Sequence, residues 1–315
     1  MIKTIFSSIQ LIPKKFKGKF YFLLFLSLLS ILFETLSISL FIPFLSHLTG
    51  SGELNGATAQ LTSNGDTATV AIIEGYSSIG SYAFFNATSL TSVTIGTSVI
   101  SIGQMVFYAS NLTSINIPSG VTSISTNVFS GMSVLTSITV TPSNTNYKAI
   151  DGVLFDFNEE ILIQYPVGNT RTSYEIPAGV INIIGGSFDS ASSLTSITIP
   201  TSVTTIGSFA FSQTSITSIT IPAKVSTIAY KAFNATSNLT WVAFEENSEL
   251  TPENAFGGFK TQVFNNSGLT TIYAYQPLID TMGWTRSDST VPPTFNTIGN
   301  KSDITVSTDQ PPAQA

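Results

Sequence analysis

Reactive side chains are scarce in this 315-residue sequence, so each can be weighed singly. There is no cysteine and His47 is its one histidine. That excludes disulfides, thiolate metal sites and a Cys–His nucleophilic pair. His47 closes a long apolar run and reads as an interfacial residue. Carboxylates gather twice. "DGVLFDFNEE" carries Asp151, Asp156, Glu159 and Glu160, and "AFEENSELTPENAF" carries Glu245, Glu246, Glu249 and Glu253. Neither has the ligand spacing of a calcium loop, so a solvated turn is the stronger reading and calcium the weaker. Asn86, Asn111, Asn234, Asn238, Asn265 and Asn300 open N-x-Ser/Thr sequons. A phrase that repeatedly puts Asn before Leu-Thr or Ala-Thr explains most of them. "IGGSF" from Ile184 has no phosphate-loop context. We therefore expect no catalytic residue, no metal and no cofactor: this is not an enzyme.

The residues that do recur must be positioned by something periodic. Close variants of one phrase fill the chain: "SLTSVTIGTSVISI" from Ser89, "NLTSINIPSGVTSI" from Asn111, "SLTSITIPTSVTTI" from Ser193 and "SITSITIPAKVSTI" from Ser215. Aromatic anchors fall at Phe84, Phe107, Phe129, Phe188, Phe211, Phe233 and Phe256, with spacings of 23, 22, 59, 23, 22 and 23. Leu90, Leu112, Leu135, Leu194, Ile216 and Leu239 follow in step. A period of 22–23 lies within the leucine-rich-repeat range. In "LTSITIP", Leu194, Ile197 and Ile199 point one way and Ser196 and Thr198 the other, the two-residue period of a strand. Pro200 ends it, because it cannot donate to a ladder. Val203 and Ile206 then face inward, Gly207 permits a turn, and Ala210 and Phe211 lie beneath the coil. No unit can bury these groups alone; stacking makes a continuous core.

"SIGSYAFFNATSLTSVTI" and "TTIGSFAFSQTSITSITIPAKVSTIAYKAF" resemble BspA-like leucine-rich repeats, from about Ile72 to Tyr275. That family often places Cys shortly before the next Leu; here Ala87, Met132 and Ala191 stand there. The 59-residue gap holds "YKAIDGVLFDFNEEILIQYPVGNTRTSYEIP", which also resembles a segment that interrupts such arrays. It reads as a hairpin insertion at 142–177, with Val153–Phe155 pairing to Ile161–Gln164. The resemblance implies display at a cell surface and attachment to host or matrix proteins.

Charge divides the chain. Residues 1–50 carry Lys3, Lys14, Lys15, Lys17 and Lys19 against Glu34 alone, a net of +4; the remainder has 7 basic and 17 acidic residues, a net of −10. An acidic body with 10% charged residues offers nucleic acid no phosphate-binding surface. Phe20 to Leu45 is apolar apart from Ser, Thr and Glu34, and as a helix of about 39 Å it exceeds a bilayer core of about 30 Å. The lysines precede it, which places the N-terminus in the cytoplasm; a signal peptide is the alternative. "LIPKKFKGKFYFLLFLSLLSILFETLSISLFIPFL" resembles the first transmembrane helix of type 1 ABC exporters over residues 5–48. The phosphate-binding loop of that family is missing, so no nucleotide partner is implied.

The sequence thus predicts a mostly β, curved leucine-rich-repeat solenoid of 22–23-residue coils, preceded by one transmembrane α-helix. Residues 1–19 form a basic cytoplasmic segment, 20–45 the span, 46–71 a linker and N-terminal cap, 72–275 the solenoid, and 276–315 a flexible Pro/Ser/Thr-rich tail. The expected function is extracytoplasmic adhesion or protein recognition from a single-pass anchor. A structural spacer or envelope array is the alternative, and ice or glycan binding by the Ser/Thr ladder a lesser one. Outward strand positions are small and hydroxylated until "NLTWVAFE" and "GLTTIYAY", where Trp241 and Tyr273 fall diagonally across neighbouring strands. The candidate ligand site is therefore Trp241, Tyr273, Thr271, Ser218 and Thr220, for a protein or glycan on the exposed sheet. An aromatic cover over the open end of the solenoid is the rival explanation.

Overall fold

The structure, a computed structural model, describes residues 59–64, 67–72, 76–251, 263–275, 277–278 and 305–312. The Phe20–Leu45 run, His47 and the exporter-like segment lie outside the described residues. Among the described residues no helix is long and apolar enough to cross a membrane.

A hairpin comes first, β1 (Ala59–Asn64) antiparallel to β2 (Thr67–Ile72). Short and long strands then alternate: β3 (Ser78–Ile79), β4 (Leu90–Thr94), β5 (Ser101–Ile102), β6 (Ser114–Ile117), β7 (Ser123–Ile124) and β8 (Ser137–Val140). Three strands follow in succession, β9 (Tyr147–Ile150), β10 (Val153–Asp156) and β11 (Ile161–Gln164). Alternation resumes with β12 (Ser173–Glu175), β13 (Asn182–Ile183), β14 (Ser196–Thr198), β15 (Thr205–Ile206), β16 (Ser218–Ile221) and β17 (Thr227–Ile228). Three more long strands complete the ladder, β18 (Trp241–Phe244), β19 (Thr271–Tyr273) and β20 (Thr305–Ser307).

From β3 to β8 and from β12 to β17 each coil contributes one long and one short strand, and like strands pair in parallel. On the long-strand side β2 pairs β4, β6 pairs β8, β12 pairs β14, and β16, β18, β19 and β20 follow one another. On the short-strand side β3–β5–β7 and β11–β13–β15–β17 form parallel ladders. The alternation of "LTSITIP" decides the facing: Leu194 and Ile197 are buried while Thr198 is exposed. In the turn that follows, backbones approach closely. A Cβ on Gly207 would meet the backbone nitrogen of Gly185 at 2.4 Å, so no side chain fits there.

The phenylalanines form a column through the core. Phe84, Phe107 and Phe129 stack at centroid distances of 5.6 and 6.4 Å. Phe188, Phe211 and Phe233 stack at 5.1 and 5.2 Å. Phe264 also stacks on Phe233, at 5.2 Å; Phe256, the anchor that keeps the 23-residue spacing, lies outside the described residues. The 142–177 segment separates the two runs of rings and supplies the first member of the second: Tyr165 stacks on Phe188 at 5.2 Å, 23 residues before it.

That segment holds the expected hairpin and also supplies strands to both parallel ladders. Across the DFNEE turn Leu154 pairs with Gln164 and Phe155 with Leu162, while β9 pairs antiparallel to the other edge of β10. β11 then occupies a short-strand slot and β12 a long-strand slot, so the array continues through it. β10 is buried on both faces. Val153 and Phe155 belong to the apolar cluster that runs on to Leu278, and Leu154 belongs to the cluster that begins at Tyr76. Successive strand residues face opposite ways, so one strand serves as the wall between two cores.

Candidate recognition surface

Of the carboxylates singled out in the sequence, Asp156, Glu159 and Glu245 make side-chain contacts within the fold, Asp151, Glu160, Glu246 and Glu249 are exposed, and Glu253 lies outside the described residues. Ile161 donates its backbone N–H to Asp156 Oδ1 at 2.6 Å, and Lys148 Nζ meets Glu159 Oε1 at 2.6 Å. Arg171 donates to the carbonyl of Asp151 at 3.0 Å, and Glu245 accepts from the Ala223 N–H at 3.2 Å. Among the described residues no group of three His, Cys, Asp or Glu side chains could hold a metal ion.

Several sequon asparagines bridge coils. Asn111 Nδ2 donates to the Thr88 carbonyl at 2.6 Å. Asn265 Nδ2 donates to Asn234 Oδ1 at 2.9 Å, and Asn234 Nδ2 donates to Ser212 Oγ at 3.4 Å. Asp189 continues this ladder. Burial pushes its carboxyl above the ordinary aspartate value, while hydrogen bonds from Ser212 and Gln213 pull it back in part.

The recurring "LT" dipeptide is explained in the same way. Thr136, Thr195, Thr240 and Thr270 each donate a hydroxyl to a carbonyl of the preceding coil, those of Thr113, Thr172, Thr217 and Thr240, at 3.0 to 3.1 Å. A sequence of small hydroxyl residues therefore serves stacking, because each hydroxyl satisfies a carbonyl at the mouth of its strand. Where the family's thiols would stand, Thr214 and Thr236 are buried and donate to the carbonyls of Phe211 and Phe233 at 2.9 and 2.8 Å.

The outward positions of the long strands change chemistry towards the C-terminal end. In the parallel register Ser218 stands opposite Trp241, and Trp241 opposite Thr271; Thr220 stands opposite Ala243, and Ala243 opposite Tyr273. Trp241 and Tyr273 meet edge to face, centroids 5.9 Å apart and rings at 85°, a favoured aromatic geometry. Both rings, Thr220 and Thr271 are half-buried. Ser218 departs from the expected exposure: it is only 4% exposed. Its phase is outward, but its neighbour in register is a tryptophan, and a ring beside a hydroxymethyl group removes the smaller group from solvent. Ala243 is likewise 4% exposed.

Ala243 also lines a cavity together with part of the segment expected to be a flexible tail. Of that segment, 276, 279–304 and 313–315 lie outside the described residues, and Thr305–Ser307 is the last strand of this sheet among the described ones, pairing with Thr271–Tyr273. A cavity of about 160 Å³ opens beside it, lined by Thr220, Ala243 and Tyr273 from the sheet and by Thr308, Asp309, Gln310 and Pro311 from the segment after β20. Ser- and Thr-rich composition suggests a linker on average, but three residues of alternating pattern suffice to add a strand where an open edge awaits them.

The description "BspA type Leucine rich repeat region" matches residues 62–159 and 168–276, in 6 copies. The chain belongs to this family. No curated protein matches it. Among solved structures the BspA-type solenoid is similar to a leucine-rich cell surface protein from Faecalibacterium prausnitzii A2-165, with 27% identity and a TM-score of 0.54 over 71% of this chain and 63% of that one. It thus spans less than two thirds of that protein's length. It is also similar to the pneumococcal vaccine antigen PcpA, with 20% identity and a TM-score of 0.57 over 76% of this chain and 67% of that one. At that identity the likeness shows the fold alone.

Two further surface features of this BspA-type array went unread in the sequence. Phe85 stacks on Tyr108 at 5.0 Å and meets Tyr82 edge-on at 5.8 Å, with Phe85 43% and Tyr82 52% exposed. The signal was available: Phe85 and Tyr108 are 23 apart and each follows a core anchor. Lys231 lies over the rings of Phe209 and Tyr230, at 5.9 and 5.1 Å.

Proposed function

We propose that this protein is a non-catalytic recognition module displayed outside the cell, which binds a protein partner through the outward face of its long strands around Trp241 and Tyr273. The observation that carries the reading is the edge-to-face Trp241–Tyr273 pair, half-buried on an otherwise hydroxyl-bearing face and set beside a cavity. Large rings with few rotatable bonds provide contact area at low entropic cost, which is why they dominate binding surfaces. Similarity to a cell surface protein supports display, and the five lysines before the Phe20–Leu45 run orient an anchor with the repeats outside.

Binding of the full chain to immobilised extracellular-matrix proteins, compared with the Trp241→Ser, Tyr273→Ser double variant, tests the site. We expect binding to fall at least tenfold while the melting temperature stays within a degree or two. A variant that binds unchanged removes the site; one that loses several degrees instead assigns the two rings to covering the end of the solenoid. Display is checked separately. Protease added to intact cells, with any outer membrane permeabilised, should digest the repeats, and protection would refute the orientation.

A further inference from the structure

The course of the chain after β20 carries a more specific conclusion. Parallel strands lie about 4.8 Å apart, so Thr220 on β16 is three strands and roughly 14 Å from β20. Yet Thr220 lines the same cavity as Asp309, Gln310 and Pro311. The chain after Ser307 thus turns toward the outward positions of β16, β18 and β19. A tight turn accomplishes this: the Asp309 N–H donates to Ser307 Oγ at 3.0 Å, a hydroxyl-centred turn. The segment borders the cavity together with Tyr273, Tyr275 and Ala243, the last only 4% exposed despite its outward phase.

We propose that this face is a groove for an extended, proline-containing peptide, and that residues 308–311 of the chain occupy it in cis. Extended proline segments bind aromatic-lined grooves because their backbone is already ordered and little entropy is lost on docking. Tyr273 and Tyr275 line the cavity as its aromatic wall, the small Ala243 stands beside Tyr273 on the neighbouring strand, and Gln310 and Pro311 line the cavity with them. Trp241, in contact with Tyr273, extends the aromatic surface along the groove. The proposal rests on the reading of this face as a recognition surface and names the chemistry of its partner.

The test uses the full chain and a fluorescein-labelled peptide, VSTDQPP, the sequence of residues 306–312. In wild type the tethered segment competes at an effective concentration on the order of millimolar, so the free peptide should bind weakly. In the Gln310→Gly, Pro311→Gly, Pro312→Gly variant, fluorescence anisotropy should report peptide affinity at least tenfold higher, lost again when Tyr273→Ser is added. Pro311→Asp alone should act in the same direction. Equal affinity for wild type and both variants overturns the proposal. So does a variant that melts several degrees lower and holds no peptide, which makes the segment an end cover only. Matrix binding that depends on Trp241 and Tyr273, with no peptide binding to either variant, overturns the groove while leaving the recognition reading intact. Peptide binding that follows the expected order, with no matrix protein bound by any chain, supports the groove and refutes adhesion.

Discussion

At the scale of single residues, Asp189 shows how the repeat handles a polar position. The residue after each core ring is Asn234 or Asn265 in later coils and Ser212 in the next. Asp189 occupies that place with a carboxylate whose Oδ1 is buried without a hydrogen-bond partner. Burial raises its pKa above the ordinary value of about 3.9, and hydrogen bonds from Ser212 and Gln213 offset only part of that. Below the ordinary value the group is neutral in the folded and unfolded chain, and no penalty exists. As pH rises through the higher folded value the unfolded chain has already released its proton, so stability is lost with rising pH. Asp189→Asn, which stays neutral and matches the asparagines of the later coils, should melt a few degrees higher than wild type at pH 7. At pH 3 the two should coincide. Melting curves at both pH values decide this, and a difference that is the same at each would exclude ionisation as its cause.

At the scale of elements, the segment from β9 to β12 is where a repeat was hidden. The rings of Tyr165 and Tyr174 meet at 5.2 Å, and Tyr165 continues the Phe188 column. Its ring is fully buried, while its hydroxyl has no hydrogen-bond partner. The ring should therefore matter and the hydroxyl should not. Tyr165→Ala is expected to cost about 3–5 kcal/mol, as other buried aromatic truncations do. Tyr165→Phe should be neutral or slightly stabilising, because an unpaired buried hydroxyl is removed. Urea unfolding of both variants separates the two contributions, and a costly Tyr165→Phe would mean that the hydroxyl is satisfied by a group it contacts transiently or through water.

At the scale of the whole molecule, the array is two apolar clusters with β10 between them. In repeat proteins stability is close to a sum of coil and interface contributions, so damage need not spread. Phe129→Ala, which removes a buried ring from the first cluster, should cost about 3–5 kcal/mol there. Hydrogen exchange followed by mass spectrometry should then show protection lost over residues 76–138 and retained over 176–244. Uniform loss across both ranges would show one cooperative unit, with β10 transmitting the damage rather than containing it. The exposed Thr139, on a long strand of the same cluster, provides the control: Thr139→Ala should change neither region by more than about 0.5 kcal/mol.

Periodicity alone determined the repeat, its strands and which face of each is buried, because a 22–23-residue period and a two-residue alternation are local and survive any arrangement of the coils. It also brought Trp241 and Tyr273 to neighbouring strands, since their diagonal relation follows from register alone. Tertiary structure decided what spacing could not express. Tyr165 takes a phenylalanine's place because stacking requires a ring of the right size at the right coil, not a particular letter. Phe264 joins the column at Phe233 although it falls outside the 22–23-residue spacing, which pattern alone does not reveal. Ser218 is hidden by the size of the tryptophan beside it, which its own phase does not encode. And residues 305–311, linker-like in composition, are ordered by an open sheet edge and an aromatic face contributed by strands more than thirty residues earlier in the chain.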